Sequence, residues 1–346
     1  MERKAKARRA ILFTLAIMMV LALVSVFIVS RNSYVVMVEK ERISDKLYRY
    51  ALLIAKEDAL AKYPNMKEEN VWNYKKDKNS PTYASEIEEY ELNKLIRTAV
   101  INQQFKKLGL ELTKEQDELR EKNLAKRIEA YGGMKQAEKE FSKYHITYKD
   151  FVGFYEDYDR YELLFLHHFG VDGETPVSFA EIDNYCAKNY ARVKSVYIPI
   201  VDASGNKLTD EELSDAKALA NKVENQALLG NDFDELIRLY NKDENMTANG
   251  YLISKRYNTI PKYRETAFSM SVGEVKRIQD TDGYYIVKKY PTLESSMYTA
   301  ADRQTALLEM KAKDFDNIIE KAKKTLDIKR NEVLLKKITI EKVTYR

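Results

Sequence analysis

The sequence predicts an α+β protein: an N-terminal transmembrane helix, a mostly helical lobe assembled from N- and C-terminal segments, and an inserted small domain of β-α-α-β-α-β-β order. Three observations lead there. Helical stripes and a capping box fill residues 87–169. Strand-like runs alternate with helical ones between residues 193 and 289. Two β-rich segments, Tyr34-Val35-Val36-Met37-Val38 and Ile338-Thr339-Ile340-Glu341-Lys342-Val343-Thr344, stand near opposite ends of the chain. A lone short strand is unstable, so these two are expected to pair.

From the N-terminus, residues 11–29 form an uncharged run of 19 residues without Pro or Gly. As a helix it spans roughly 28 Å, close to the thickness of a bilayer's hydrocarbon core. Arg3, Lys4, Lys6, Arg8 and Arg9 precede it against only Glu2. That asymmetry predicts a single-pass cell-membrane protein with its N-terminus in the cytoplasm and its bulk outside. Val29-Ser30-Arg31 is a poor signal-peptidase site, so the run is expected to stay as an anchor. Beyond residue 10, the chain's 58 basic and 54 acidic residues become 53 of each. A balanced exported portion has no basic footprint for nucleic acid. The single Cys186 cannot form an internal disulfide.

After Val38, Lys40 to Arg42 is read as a turn. Ser44 caps a helix with Leu47, Tyr50, Ala51 and Ile54 on one face. Residues 64–86 carry Pro64, Asn70, Asn73, Asn79 and Pro81 and are expected to be a mobile excursion. Leu92, Leu95, Ile96, Ala99, Val100 and Phe105 make the next stripe, ended by Gly109. Thr113 and Gln116 form a capping box for a helix that Gly132-Gly133 breaks. A helix from about Lys135 to Lys143 follows, and Thr147 starts another carrying Phe151, Tyr155, Tyr158, Tyr161, Leu164 and Phe165.

In the inserted domain, a connecting helix at residues 178–188 leads into a strand at 193–200. Thr209 and Glu212 cap a long helix closed at Gly230. Residues 233–240 read as a short helix, and 275–280 and 284–289 as strands around Gly283. No Gly or Pro occurs from residue 292 to 346, and Leu307, Leu308, Phe315, Ile318, Ile319 and Leu326 mark a long helix there. The divisions are therefore a basic tail 1–10, an anchor 11–30, a helical region 31–175, an inserted domain 176–292 and a returning segment 293–346.

The runs Val193-Lys194-Ser195-Val196-Tyr197-Ile198, Asp232-Phe233-Asp234-Glu235-Leu236-Ile237, Asn249-Gly250-Tyr251-Leu252, Gly273-Glu274-Val275 and Asp282-Gly283-Tyr284-Tyr285-Ile286-Val287 resemble, in order and spacing, a parvulin-type prolyl isomerase domain. Leu108-Gly109-Leu110, Tyr131-Gly132-Gly133 and His145-Ile146-Thr147 look like the N-terminal region of SurA- and PrsA-type extracytoplasmic foldases. The resemblance implies a foldase that cradles unfolded or nascent exported proteins, without a cofactor. It implies a proline-ring pocket at Leu252, Thr259, Tyr263 and Phe268, and a polar side chain near the substrate carbonyl at Asp243. The family's paired histidines would fall at Val196 and Tyr285, so that pair is absent. The catalytic candidates are accordingly Asp243 and Tyr285, in a domain of degenerate chemistry. An active isomerase with a rewired pocket, and a scaffold for one dedicated partner, stay open as alternatives. Neighbouring His167 and His168 point apart on a helix, so no metal site is expected. The 25 tyrosines include Tyr144, Tyr148, Tyr155, Tyr158 and Tyr161 in one helical region, which suits loose recognition of unfolded segments.

Overall fold

The computed structural model describes residues 34–202, 204–256 and 261–346. The expected anchor and the basic residues before it lie outside the described residues. Among the described residues, no helix is long and apolar enough to cross a membrane. The described chain divides into two compact units, a helical one (residues 34–167 and 314–346) and a sheet one (168–313).

The helical unit opens with a hairpin of β1 (Tyr34–Val38) and β2 (Glu41–Ser44), and β1 also pairs with β7 (Ile328–Arg330), all antiparallel. The two ends of the chain thus share a sheet, but not through residues 338–344. Asn331 ends β7 by turning its side chain into a cap for α12 (Glu332–Leu335), accepting from the Leu334 amide. Beyond it, the Ile340 amide donates to Glu88 Oε1 at 2.8 Å, and Lys342 and Val343 donate to the Thr339 carbonyl. The β-branched residues Ile338, Ile340 and Val343 are buried as irregular chain. Their backbone donors are taken, so no ladder forms.

Ser44 caps α1 (Asp45–Lys62), accepting from the Leu47 amide. The segment expected to be a mobile excursion contains α2 (Glu68–Asn73), which buries Val71 and Trp72. Two apolar side chains at 1% and 2% exposure tie it down. Thr82 caps α3 (Tyr83–Lys107), and the Thr113–Gln116 capping box starts α4 (Lys114–Ala130). Gly132 and Gly133 take positive φ of 85° and 98°, which breaks the helix before α5 (Met134–Lys143). On α6 (Tyr148–Phe169), the Phe165 ring meets Phe315 edge-on at 5.3 Å. Phe315 belongs to α11 (Ala300–Lys323), the long C-terminal helix.

The sheet unit begins with α7 (Phe179–Asn189) and β3 (Tyr190–Pro199). The elements then run α8 (Asp210–Leu228), α9 (Phe233–Tyr240), β4 (Tyr251–Ser254), α10 (Pro261–Ser269), β5 (Val275–Gln279) and β6 (Gly283–Tyr290). That is the expected β-α-α-β-α-β-β order. The antiparallel sheet has the order β4-β3-β6-β5. Alternation along the strands feeds two cores. Val196, Ile198, Tyr284 and Ile286 pack with Ala216, Ala220 and Val223 of α8 and Phe233 and Leu236 of α9. Ala191, Val193, Ile253 and Val287 pack with Tyr263 and Ala267 of α10.

Candidate functional site

The α10 face of the sheet carries a cluster of tyrosines. Register places Tyr197 of β3 directly opposite Tyr285 of β6. Their rings stack at 4.8 Å with an interplanar angle of 28°, and Tyr263 stands edge-on to Tyr285 at 5.6 Å. The Tyr263 hydroxyl donates to Ser195 Oγ at 3.0 Å in a buried contact. Both stacked phenols turn to one residue. Tyr285 donates to Asp282 Oδ2 at 2.7 Å, and Tyr197 donates to the Asp282 carbonyl at 3.1 Å.

Asp243 reaches this face on the loop after α9. The loop continues the pairing of β3 past the end of β4. The Tyr197 amide donates to Asn241 Oδ1, and the Lys242 amide donates to the Tyr197 carbonyl. Asn241 holds the turn by also accepting from the Asp243 amide and donating to the Asp243 carbonyl. The Tyr251 hydroxyl donates to Asp243 Oδ2 at 2.7 Å and orients the carboxylate.

Burial, then the bond to Asp282, pushes the Tyr285 phenol up. Burial and Asp282 raise Tyr197, with a further push from Asp243. Burial and the bond to Asp243 raise Tyr251. These phenols stay protonated at neutral pH, with their protons committed to aspartate oxygens. The stacked pair therefore offers aromatic faces, and Asp243 adds one carboxylate at the rim. The arrangement can hold an apolar ring but has no paired hydrogen-bonding imidazoles.

The sequence-expected residues divide. Tyr263, Phe268 and Tyr285 belong to one packed cluster, and Asp243 joins it through Tyr251. Val196 does not face Tyr285: it pairs with Ile286 and is buried on the α8 side. Leu252 pairs with Arg192, on the face opposite Tyr263, while its neighbour Tyr251 lies on the Tyr263 face. The one-residue displacement matters because alternate side chains leave a strand on opposite faces. Thr259 lies outside the described residues. Reading residue by residue missed Tyr197, Tyr251 and Asp282. Strict alternation from Tyr285 through the antiparallel register is the signal that finds Tyr197.

Gly283 makes the Tyr197 placement possible. A Cβ there would stand 2.5 Å from the Ile198 carbonyl oxygen and 2.5 Å from Tyr197 Cε2. Gly283→Ala is expected to displace the Tyr197 ring and to destabilise the sheet unit by about 1–3 kcal/mol. Urea unfolding with near-ultraviolet circular dichroism checks it. An unchanged midpoint and tyrosine signal would refute the close approach.

Residues 182–290 match the model of the PPIC-type PPIase domain. The chain is similar to the solved foldase protein PrsA from Streptococcus pneumoniae, at 19% identity over 72% of this chain and 91% of that one, with a TM-score of 0.40. It is also similar to foldase protein PrsA from Lactococcus lactis, at 14% identity over 88% and 98%, with a TM-score of 0.36. PrsA from Bacillus subtilis matches at 21% identity over 70% and 80%, with a TM-score of 0.31. A search of the curated proteins found no match.

Proposed function

Taking residues 182–290 as a PPIC-type PPIase domain, we propose that this chain is a membrane-anchored extracytoplasmic foldase that holds unfolded exported proteins and grips their prolines without fast catalysis. The observation that carries the second half is the Tyr197–Tyr285 pair. The resemblance puts the family's hydrogen-bonding histidines at Val196 and Tyr285; here the residue across from Tyr285 is Tyr197, and both phenol hydroxyls are bound to Asp282.

Prolyl isomerisation must overcome amide resonance worth about 18–20 kcal/mol. A protein speeds it only by binding the twisted amide more tightly than the planar one. Tyr285 and Phe268, backed by buried Tyr263, supply a face for the proline ring, and Asp243, held by Tyr251, supplies a polar rim. These contacts serve the planar and twisted forms about equally. Ring burial then yields affinity, and the rate stays near its uncatalysed value.

The helical unit takes the holding role. Tyr155, Tyr158 and Tyr161 lie on α6, and Tyr158 is 58% exposed. Exposed tyrosines give large contact area at little entropic cost. Residues 11–29, behind five basic residues, would keep this unit at the outer membrane–water boundary where exported chains emerge.

The holding role is tested by light scattering of a chemically unfolded client diluted into buffer. Near-stoichiometric amounts of the full chain are expected to suppress aggregation at least severalfold. Scattering that is unchanged for every client would sink the holding role.

A further inference from the structure

Four residues, 30–33, separate the uncharged run of residues 11–29 from β1. From Val29 to Tyr34 a chain reaches at most about 17 Å. If residues 11–29 span a bilayer, the start of β1 stands within about 17 Å of its hydrocarbon core, across a headgroup layer of roughly 5–7 Å. Whatever the fold gathers at that end of β1 meets the headgroups.

Three segments come together there. Tyr34 pairs with Ser44, so β2 delivers the start of α1 to this end. The Asn331 amide donates to the Val35 carbonyl at 2.8 Å, and Asn331 Nδ2 donates to the Tyr34 carbonyl at 3.1 Å. Those bonds bring α12 to the same end, with Val333 at 69% exposure. One exposed valine is ordinary on any surface, and it is the charge around it that sets this end apart.

Residues 42–49 and 330–337 supply six bases: Arg42, Lys46, Arg49, Arg330, Lys336 and Lys337. Four acids stand among them, Asp45, Glu332, and Glu88 and Glu89 of α3. The acids are committed. Asp45 pairs with Arg49 at 3.7 Å, and Glu89 and Glu332 pair with Arg330 at 2.8 and 3.2 Å. Glu88 accepts from the Ile340 amide. Arg42, Lys46, Lys336 and Lys337 are exposed, and among the described residues they join no ion pair. The Arg42 guanidinium lies over the Tyr34 ring at 5.5 Å. The opposite end of the hairpin is balanced instead. There Glu39 and Lys40 of the turn adjoin Asp327 and Lys329, which pair with each other at 2.6 Å.

We propose that this end of the helical unit rests on an anionic bilayer surface, with Arg42, Lys46, Lys336 and Lys337 on lipid phosphates and Tyr34 and Val333 against the headgroup layer. Lysine and arginine stems lie along an apolar boundary while their charged ends reach the phosphates. A tyrosine suits the same boundary, apolar in its ring and wet at its hydroxyl. A four-residue tether alone would let the unit tumble, and this contact fixes its orientation at the membrane. The contact rests on the reading of residues 11–29 as an anchor.

The test reconstitutes the full chain into vesicles and reads depth from a nitrobenzoxadiazole label on Val333→Cys. Cys186 is buried, and burial pushes its thiol up to about 11, so it stays unlabelled at neutral pH. Quenching by a lipid with a nitroxide headgroup is expected to be at least about threefold stronger in vesicles containing phosphatidylglycerol than in pure phosphatidylcholine. Lys336→Gln combined with Lys337→Gln, or salt at about 1 M, is expected to bring the two vesicle types to within about 1.5-fold. A label on Lys40→Cys, at the balanced end, is expected to stay unquenched in both. Flotation on a density gradient reports the anchor separately. If the chain floats but the Val333 label is quenched equally in both vesicle types, or no more than the Lys40 label, the docking surface is refuted and the anchor stands. If the chain does not float with the vesicles, the anchor and the docking surface fall together.

Discussion

Replacing Arg192 by methionine is expected to lower the stability of the sheet unit by about 3–5 kcal/mol. The guanidinium lies inside the unit, with its side chain 1% exposed. Nη2 donates to Asp302 Oδ2 at 2.9 Å, Nη1 to the Asn249 carbonyl at 2.7 Å and Nε to the Thr292 carbonyl at 3.2 Å. Methionine fills much of the stem's volume but supplies no donor. Asp302 and two carbonyls would be left short of partners. Asp302 also accepts from the Thr299 amide, so the start of α11 would loosen with it. Urea unfolding gives the magnitude, and hydrogen exchange at β3 and β6 amides shows where the loss falls. A change below about 1 kcal/mol would mean that the ion pair contributes little beyond packing.

The second large effect is alkaline. Burial pushes the Tyr263 phenol from its ordinary 10 up to about 12, outweighing its bond to Ser195. The neutral form is the protonated one, so the folded state holds this proton more tightly than the unfolded chain does. Its contribution is complete below about pH 10 and is lost as pH rises from 10 to 12. Over that window the loss amounts to about 2–3 kcal/mol. Tyr263→Phe has no such proton to lose. Denaturant unfolding at pH 9 and pH 12 should show wild type losing about 2–3 kcal/mol more than the variant. Parallel losses would show that Tyr263 is not shielded.

Local signals in the sequence located most elements. The Thr113–Gln116 and Thr209–Glu212 capping boxes stand at the starts of α4 and α8, and Gly109, Gly132, Gly133 and Gly230 take the positive φ that ends helices. Those features depend on neighbours three or four residues away. Strand partners do not. Residues 338–344 have strand composition, yet the amides of Ile338, Ile340, Lys342 and Val343 are taken by Glu88 and by local turns, and β1 pairs with Ile328–Arg330 instead. The site was legible in part for a related reason. Tyr263, Phe268, Tyr285 and Asp243 were named from the resemblance, and the structure brings these four together. Tyr197 was missed because β3 is buried on both faces, so composition does not show which of its residues face α10, and Leu252, named from the resemblance, lies on the face of β4 away from Tyr263. Buried Arg192, and the buried Glu309 that accepts from Tyr185, Tyr190 and Ser254, were invisible because a charged residue ordinarily reads as surface.

The most direct test of the central claim is two-dimensional exchange NMR on a short Xaa-Pro peptide with the full chain present. One spectrum reports binding through shifted peptide resonances and catalysis through cis–trans exchange peaks. The tyrosine-lined site predicts shifts that depend on Phe268, with exchange still on the uncatalysed scale of tens of seconds. Exchange peaks within milliseconds would contradict it and make the Tyr197–Tyr285 pair a working substitute for histidines. Unshifted resonances would contradict it from the other side and remove proline binding from this unit.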